Sequence, residues 1–573
     1  MPASKTKKSK AVVNRSGPGK TATLHTPLDK GPRLDKYARL LHRFFEPLVL
    51  LHTLGKTRGI HSPASVEEGS IEFKWKTFLD DLSYVCDYDK GGHTTTAIAI
   101  EAGRDRYVFW FALNKSSARV HTFLESILAT ITESIQPVNA QNQETRDELI
   151  ANLKRRCFEH ARHRIKKEVN MLRAHIKRCT GFLSGEDDAE LARWLEQFRQ
   201  GDHSEVCSLA FEHRQSQEML DIKNRGRQSR YITRTAQDKR FDSNPFDNPF
   251  AAAHHLIGRL AHHERAPKRL MESAQSFEQV LDSSYVVSQV PVPEPVPAPV
   301  PDDKTNLRSI LHRMGVDDEA TTEALMDLER MHGIEEPLLE EYRNDTFKPI
   351  VHCEIQVYEH FNAPGRQKLF ALDLPVIGCS KAACYCCKLY LKYSPARCIQ
   401  PESHENVWLN WSPPALPSGH LDAGFRAQRA VLQGMIEEIR RAAVAQILER
   451  RGPGTSHPDS TTGITKLTAR NPVRARDVGQ SIAALSIQSP AEYLRWDGGS
   501  EYGFGEDAAR SPSRPSSPAR SESSETRSSL DFAPSPESRS PDADLGGSDF
   551  DSDGDDGGGV LLFTPRKQNW PRI

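Results

Sequence analysis

His352-Cys353-Glu354, followed by Cys384-Tyr385-Cys386-Cys387, is an H-x-E and then a C-x-x-C. One imidazole and two thiolates suit a tetrahedral zinc ion, which takes nitrogen and sulfur ligands and can keep its fourth position for water. A water held there gives up its proton near neutral pH. Glu354 need not be a ligand; two residues past His352, it is placed to carry protons between that water and a substrate. His352, Cys384 and Cys387 are therefore the expected metal ligands, Zn²⁺ the expected cofactor, and Glu354 the expected catalytic residue.

These side chains need elements that bring them together. Val351, Ile355 and Tyr358 recur at helical spacing, which puts His352 and Glu354 in the first turn of a helix. Residues 369–378 read as an apolar strand closed by Gly378. Ser380 then offers an N-cap for a second helix over 381–393 that carries both cysteines near its start. A thiol at a helix N-terminus ionises more readily, which favours metal binding. The competing reading is a closed structural zinc. Cys353, Cys379, Cys386 and Cys398 could each supply a fourth ligand.

The ordered set of a histidine, a non-ligating glutamate and two cysteines is the pattern of zinc-dependent base deaminases. Residues 348–357 and 377–388 resemble the cytidine-deaminase-like superfamily, and within it the OTT-type deaminases, a family named after an Orientia protein and widespread in fungi. Ser380-Lys381 before the first cysteine pair is similar to that family. Two positions depart from the wider pattern: Cys353 stands where Ala is usual and can itself ligate, and Ala383 stands where Pro is usual. The resemblance implies an α/β, three-layer cytidine-deaminase-like fold, a mixed sheet with helices on both faces. It extends to residues 400–414, where the family has a Ser-His pair and an aromatic cluster. Asn114, His404, Trp408 and Trp411 are the candidate substrate contacts, the tryptophans by stacking on a base.

Such a sheet is expected to begin with a helix and a hairpin ahead of the H-x-E helix. None directly precedes residue 348, where the chain is acidic and helical in pattern. A hairpin does lie far upstream: 94–101 and 106–113 are β-rich runs around Ala102-Gly103-Arg104-Asp105, after a helical stretch over 71–88. The expected organisation is an interrupted domain. Residues 1–30 form a disordered basic start. Residues 31–114 supply the first helices and the hairpin, 115–346 a helical insertion, 347–451 the catalytic half, and 452–573 a disordered Ser/Pro/Asp-rich tail. Loop-closure entropy rises slowly with length and permits so large an insertion. Within it, 154–178 reads as one long amphipathic helix with a basic outer face. The run 290–301, Val-Pro-Val-Pro-Glu-Pro-Val-Pro-Ala-Pro-Val-Pro, reads as an extended spacer.

Among 573 residues, a net charge of −1 hides this segregation of basic helices from acidic segments. Six of the ten cysteines fall between Cys353 and Cys398, which favours a metal over a disulfide framework and an intracellular setting, cytoplasmic or nuclear. No apolar run approaches membrane-spanning length, so no membrane partner is expected. RNA, single-stranded DNA or a nucleotide is the expected substrate class, with protein partners through the Pro-rich run and the tail. Two function classes follow: a zinc-dependent hydrolytic deaminase of cytosine or adenine, or an inactive deaminase fold, stabilised by zinc, that serves as an interaction protein.

Overall fold

The computed structural model describes residues 34–232 and 248–452, apart from residues 116, 303 and 364. The expected basic start and Ser/Pro/Asp-rich tail lie outside the described residues. The fold is α/β. A mixed four-stranded sheet runs in the order β3-β2-β1-β4, with β1 Thr96–Ala102, β2 Tyr107–Leu113, β3 Tyr285–Gln289 and β4 Gly378–Cys379. The hairpin β1–β2 pairs from Thr96 opposite Leu113 to Ala102 opposite Tyr107. β4 is antiparallel to β1, through Ala97 opposite Cys379 and Ile98 opposite Gly378.

Alternation along the hairpin creates two different faces. Ala97, Ala99 and Ala112 point to one side, where their small size admits close helices. The apolar cluster there includes Phe44 and Leu48 of the helix Lys36–Thr53, Ile355 of Cys353–Asn362, Leu389 of Tyr385–Tyr393, and Leu432 and Ile439 of Phe425–Leu448. Ile98, Ile100, Phe109, Phe111 and Leu113 point to the other side. They pack with Phe78 and Leu82 of Ile71–Cys86, Leu124 and Ile127 of Ala118–Ile135, and Leu270 of Pro249–Ser273. Helices thus cover both faces of the sheet.

The insertion is bound up with this sheet more closely than a helical excursion would be. β3 comes from it and lies parallel to β2, from Tyr107 opposite Tyr285 to Phe111 opposite Gln289. The segment expected as a single helix over 154–178 is two, Gln143–His160 and Arg162–Thr180, broken at Ala161. The apolar stripe is buried as its spacing requires, but Arg164 is buried with it rather than on the basic outer face. The Pro-rich run is no free spacer either. Val290 and Val296 are buried, the Val296 amide donates to Ser412 Oγ at 2.9 Å, and the Ala415 amide donates to the Glu294 carbonyl at 2.7 Å. Among the described residues no helix is long and apolar enough to cross a membrane.

A buried ionic cluster ties the segment 115–346 to Asp87 and to the approach to Cys384. Glu168 accepts from Arg259 at 2.7 Å and from Arg164 Nε at 3.2 Å, and lies 3.1 Å from His263 Nε2. Arg164 reaches the Asp87 carbonyl at 3.0 Å and its carboxylate at 3.3 Å. The same carboxylate accepts from Ser380 Oγ at 3.2 Å and lies 3.4 Å from Lys381 Nζ. Burial opposes ionisation of Glu168, but Arg259, His263 and Arg164 outweigh it and hold the carboxyl well below its ordinary range.

Two outcomes are expected. Glu168→Gln removes the buried negative charge that Arg164 and Arg259 share and should cost about 3–5 kcal/mol in urea unfolding at neutral pH. Because the folded carboxyl is the more acidic, its stabilisation is present above the unfolded value near ~4.3 and is lost as pH falls toward the folded value, so the penalty should shrink below about pH 4. Replacing 115–346 by a short linker removes β3 and two of the helices covering the second sheet face, Ala118–Ile135 and Pro249–Ser273. The product should aggregate; a soluble, monomeric deletion protein would contradict the dependence of the sheet on its insertion.

Candidate metal centre

Both motif helices begin at a candidate ligand. His352 is the N-cap residue of Cys353–Asn362, and Cys384 is the N-cap residue of Tyr385–Tyr393, its Sγ accepting from the Cys387 amide at 3.4 Å. The second helix therefore starts at Tyr385, not at 381, and its cap is the first cysteine rather than Ser380. The expected strand over 369–378 is reduced to the two-residue β4; Ala371–Asp373 is a short 3-10 turn in which Leu372 and Asp373 adopt positive φ.

The two helix starts converge. His352 Nδ1 lies 3.6 Å from Cys384 Sγ and 3.4 Å from Cys387 Sγ. All three ligand atoms fall within 4.8 Å of one another. Burial alone would raise the Cys384 thiol. The Cys387 hydrogen bond and His352 reverse this and bring it down to about 6. His352 is raised, since Cys384 outweighs its desolvation. Burial and neighbouring Cys384 push Cys387 well above the usual thiol range. An imidazole, one ready thiolate and a second thiol form a donor set that fits a borderline-soft divalent ion.

Local contacts fix each helix start. The Cys353 amide donates to Asn114 Oδ1 at 2.8 Å, and Asn114 Nδ2 donates to the Gly92 carbonyl at 2.7 Å. Gln356 Nε2 donates to the Leu113 carbonyl at 3.0 Å. The H-x-E helix is thereby hung from the end of β2. The second helix start is held by 402–406: Ala383 N donates to Glu402 O at 2.8 Å, Tyr385 N to Asn406 O at 2.9 Å, and His404 N to Ala383 O at 3.2 Å. Gly378 is required where it is, because a Cβ there would collide with Leu79.

Among the candidate substrate contacts, Asn114 spends both ends of its amide on backbone and positions the first ligand helix. His404 is buried beside the second helix start, and its Nδ1 accepts from the Asn406 amide at 3.0 Å. Burial, with His61 and His352 nearby, pushes it well below the usual imidazole range, so it is neutral. Trp408 is half-buried, edge-on to His404 with ring centres 6.2 Å apart. Trp411 offers no stacking face: it is fully buried against Phe44 and Tyr390. Glu354 is buried, its carboxylate 3.4 Å from Cys353 Sγ. Sequence reasoning missed Asp87, which holds Ser380 and Lys381 ahead of Cys384. A lone Asp at a helix end carries no signal of that role.

Residues 351–415 match the family model described as OTT_1508_deam-like deaminase. No curated protein and no solved structure matches the chain. The chain thus carries a deaminase-family domain, and within it a His/Cys/Cys group able to hold a metal ion.

Purified chain should bind one divalent ion through this trio. His352→Ala and Cys384→Ser should each lose it, while Cys398→Ser, outside the trio, should keep it. Elemental analysis decides, each variant read against wild type: His352→Ala and Cys384→Ser should each hold one ion fewer, and either holding as many as wild type would refute the ligand assignment.

Proposed function

We propose that this chain is a zinc-dependent hydrolytic deaminase that acts on cytosine or adenine in a nucleic acid or nucleotide. The observation that carries the reading is the meeting of the His352, Cys384 and Cys387 donor atoms inside the segment that matches the deaminase family, with the Glu354 carboxylate on the same first helical turn. Zinc, when bound, supplies a Lewis acid that makes a water nucleophilic near neutral pH.

The chain's own groups do the rest. Glu354 takes a proton from the attacking water and passes it to the ring nitrogen. It then delivers the second proton to the exocyclic amine, so that one water enters, ammonia leaves, and the ring carbon keeps an oxygen. Neutral His404 and half-buried Trp408 flank the second helix start and are the side chains available to contact a base. Arg155, Arg162, Lys166, Lys167 and Lys177 are exposed on the insertion, a set suited to phosphate. The deaminase unit in this reading is discontinuous, 31–114 with 347–451, since β4 between the two motifs pairs with the upstream hairpin.

The test incubates purified protein with RNA, single-stranded DNA and nucleosides, and reads sequence change together with ammonia release. Glu354→Gln should keep the ion held by His352, Cys384 and Cys387 and lower turnover by about 10²–10⁴-fold or more, because an amide cannot shuttle protons. An active Glu354→Gln enzyme would refute the role. A metal-loaded wild type inert across the panel would favour the interaction-protein reading instead.

A further inference from the structure

Cys353 occupies a position that the donor trio does not use, between a ligand and the proton carrier. Its Sγ, a carboxylate oxygen of Glu354 and Cys379 Sγ all lie within 4.8 Å of one another. Ligand atoms around a tetrahedral zinc, with Zn–S near ~2.3 Å, are roughly 3.5–4 Å apart. The Cys353–Glu354 separation of 3.4 Å is already close to that spacing. The three donors come from two elements whose backbones are pinned. The Cys353 amide is held by Asn114, and the Cys379 amide donates to Asp80 Oδ1 at 2.9 Å. Cys353 and Glu354 are buried and Cys379 is half-buried, so the site has a protein wall and one accessible side.

We propose that Cys353, Glu354 and Cys379 form a second metal site, separate from the His352/Cys384/Cys387 trio, that takes a thiophilic divalent ion such as Zn²⁺ or Cd²⁺. Two sulfurs exclude Mg²⁺ and Ca²⁺, which require oxygen. Loading releases the thiol protons to solvent and needs no oxidant. The site also takes the carboxylate that must move protons, so its occupancy blocks turnover. That inhibitory consequence rests on the deaminase reading; the second equivalent of metal does not.

The experiment is a Zn²⁺ titration of the full apo chain by equilibrium dialysis with elemental analysis, repeated with Co²⁺ to follow thiolate absorption. Wild type should bind two equivalents, Cys379→Ser and Cys353→Ala one each, Cys384→Ser one, and Cys379→Ser/Cys384→Ser none. Raising zinc from one equivalent to an excess should lower wild-type deamination by about 10²-fold or more, and Cys379→Ser should lose that zinc dependence. Wild type saturating at one equivalent, or Cys379→Ser retaining two, would overturn the second site. So would a Cys353–Cys379 disulfide in non-reducing mass spectrometry of fresh protein. If Cys384→Ser alone left stoichiometry unchanged while Cys379→Ser lowered it, the second site would stand and the trio would fall.

Discussion

Cys384 has to cap one helix while facing His352, the cap of another, and the site exists only where both conditions hold. Capping makes Cys384 the acceptor for the Cys387 amide. That bond and the helix dipole favour the thiolate. Facing His352 places that negative charge against an imidazole. Neither helix start is free to move. One hangs from the end of β2 through Asn114, and the other is stitched to 402–406 through backbone bonds. A ligand trio built from two caps inherits the rigidity of both helices, which is what a metal with strict geometry requires.

The second restraint is Asp87. Its carboxylate, fully buried at the end of Ile71–Cys86, lies beside Arg164 from the insertion and Ser380 and Lys381 from the approach to the cysteines. Burying so many charges costs desolvation energy that only a complete network offsets. The cluster is specific for that reason: an arrangement that misplaces the insertion leaves charges unpaired. The long helix Pro249–Ser273 contributes Arg259 and His263 to the cluster, and its later residues to the core beneath the sheet.

Legibility in the sequence followed the range of the interactions. The donor trio was readable because its chemistry is encoded in residue type and order. The hairpin was readable because alternating Ala and Ile between turn residues is a local pattern. The helix Ile71–Cys86 emerged within two residues of its expected end. The strand over 369–378 failed because apolar composition does not fix extended pairing; Gly378 and Cys379 pair with β1, and apart from them Phe370 makes an isolated bridge to Glu101. The break at Ala161 was invisible because the apolar stripe continues across it. β3 was hidden beside a proline run. Trp411 looked like a stacking residue by type, and only three-dimensional packing against Phe44 and Tyr390 shows it to be core.

β1 waits a long way for its second neighbour. β2 pairs with it after a four-residue turn and β3 then closes the far edge, but β4 lies at 378–379. At about 5–20 residues per second, a ribosome needs roughly 15–50 s to pass from β1 to β4. Over that interval the edge of β1 that receives β4 has no partner, while the insertion can already fold and cover the opposite face. The order of assembly then runs from the insertion toward the cysteines, and the end of the sheet that carries the candidate metal centre is the last part of the fold to close.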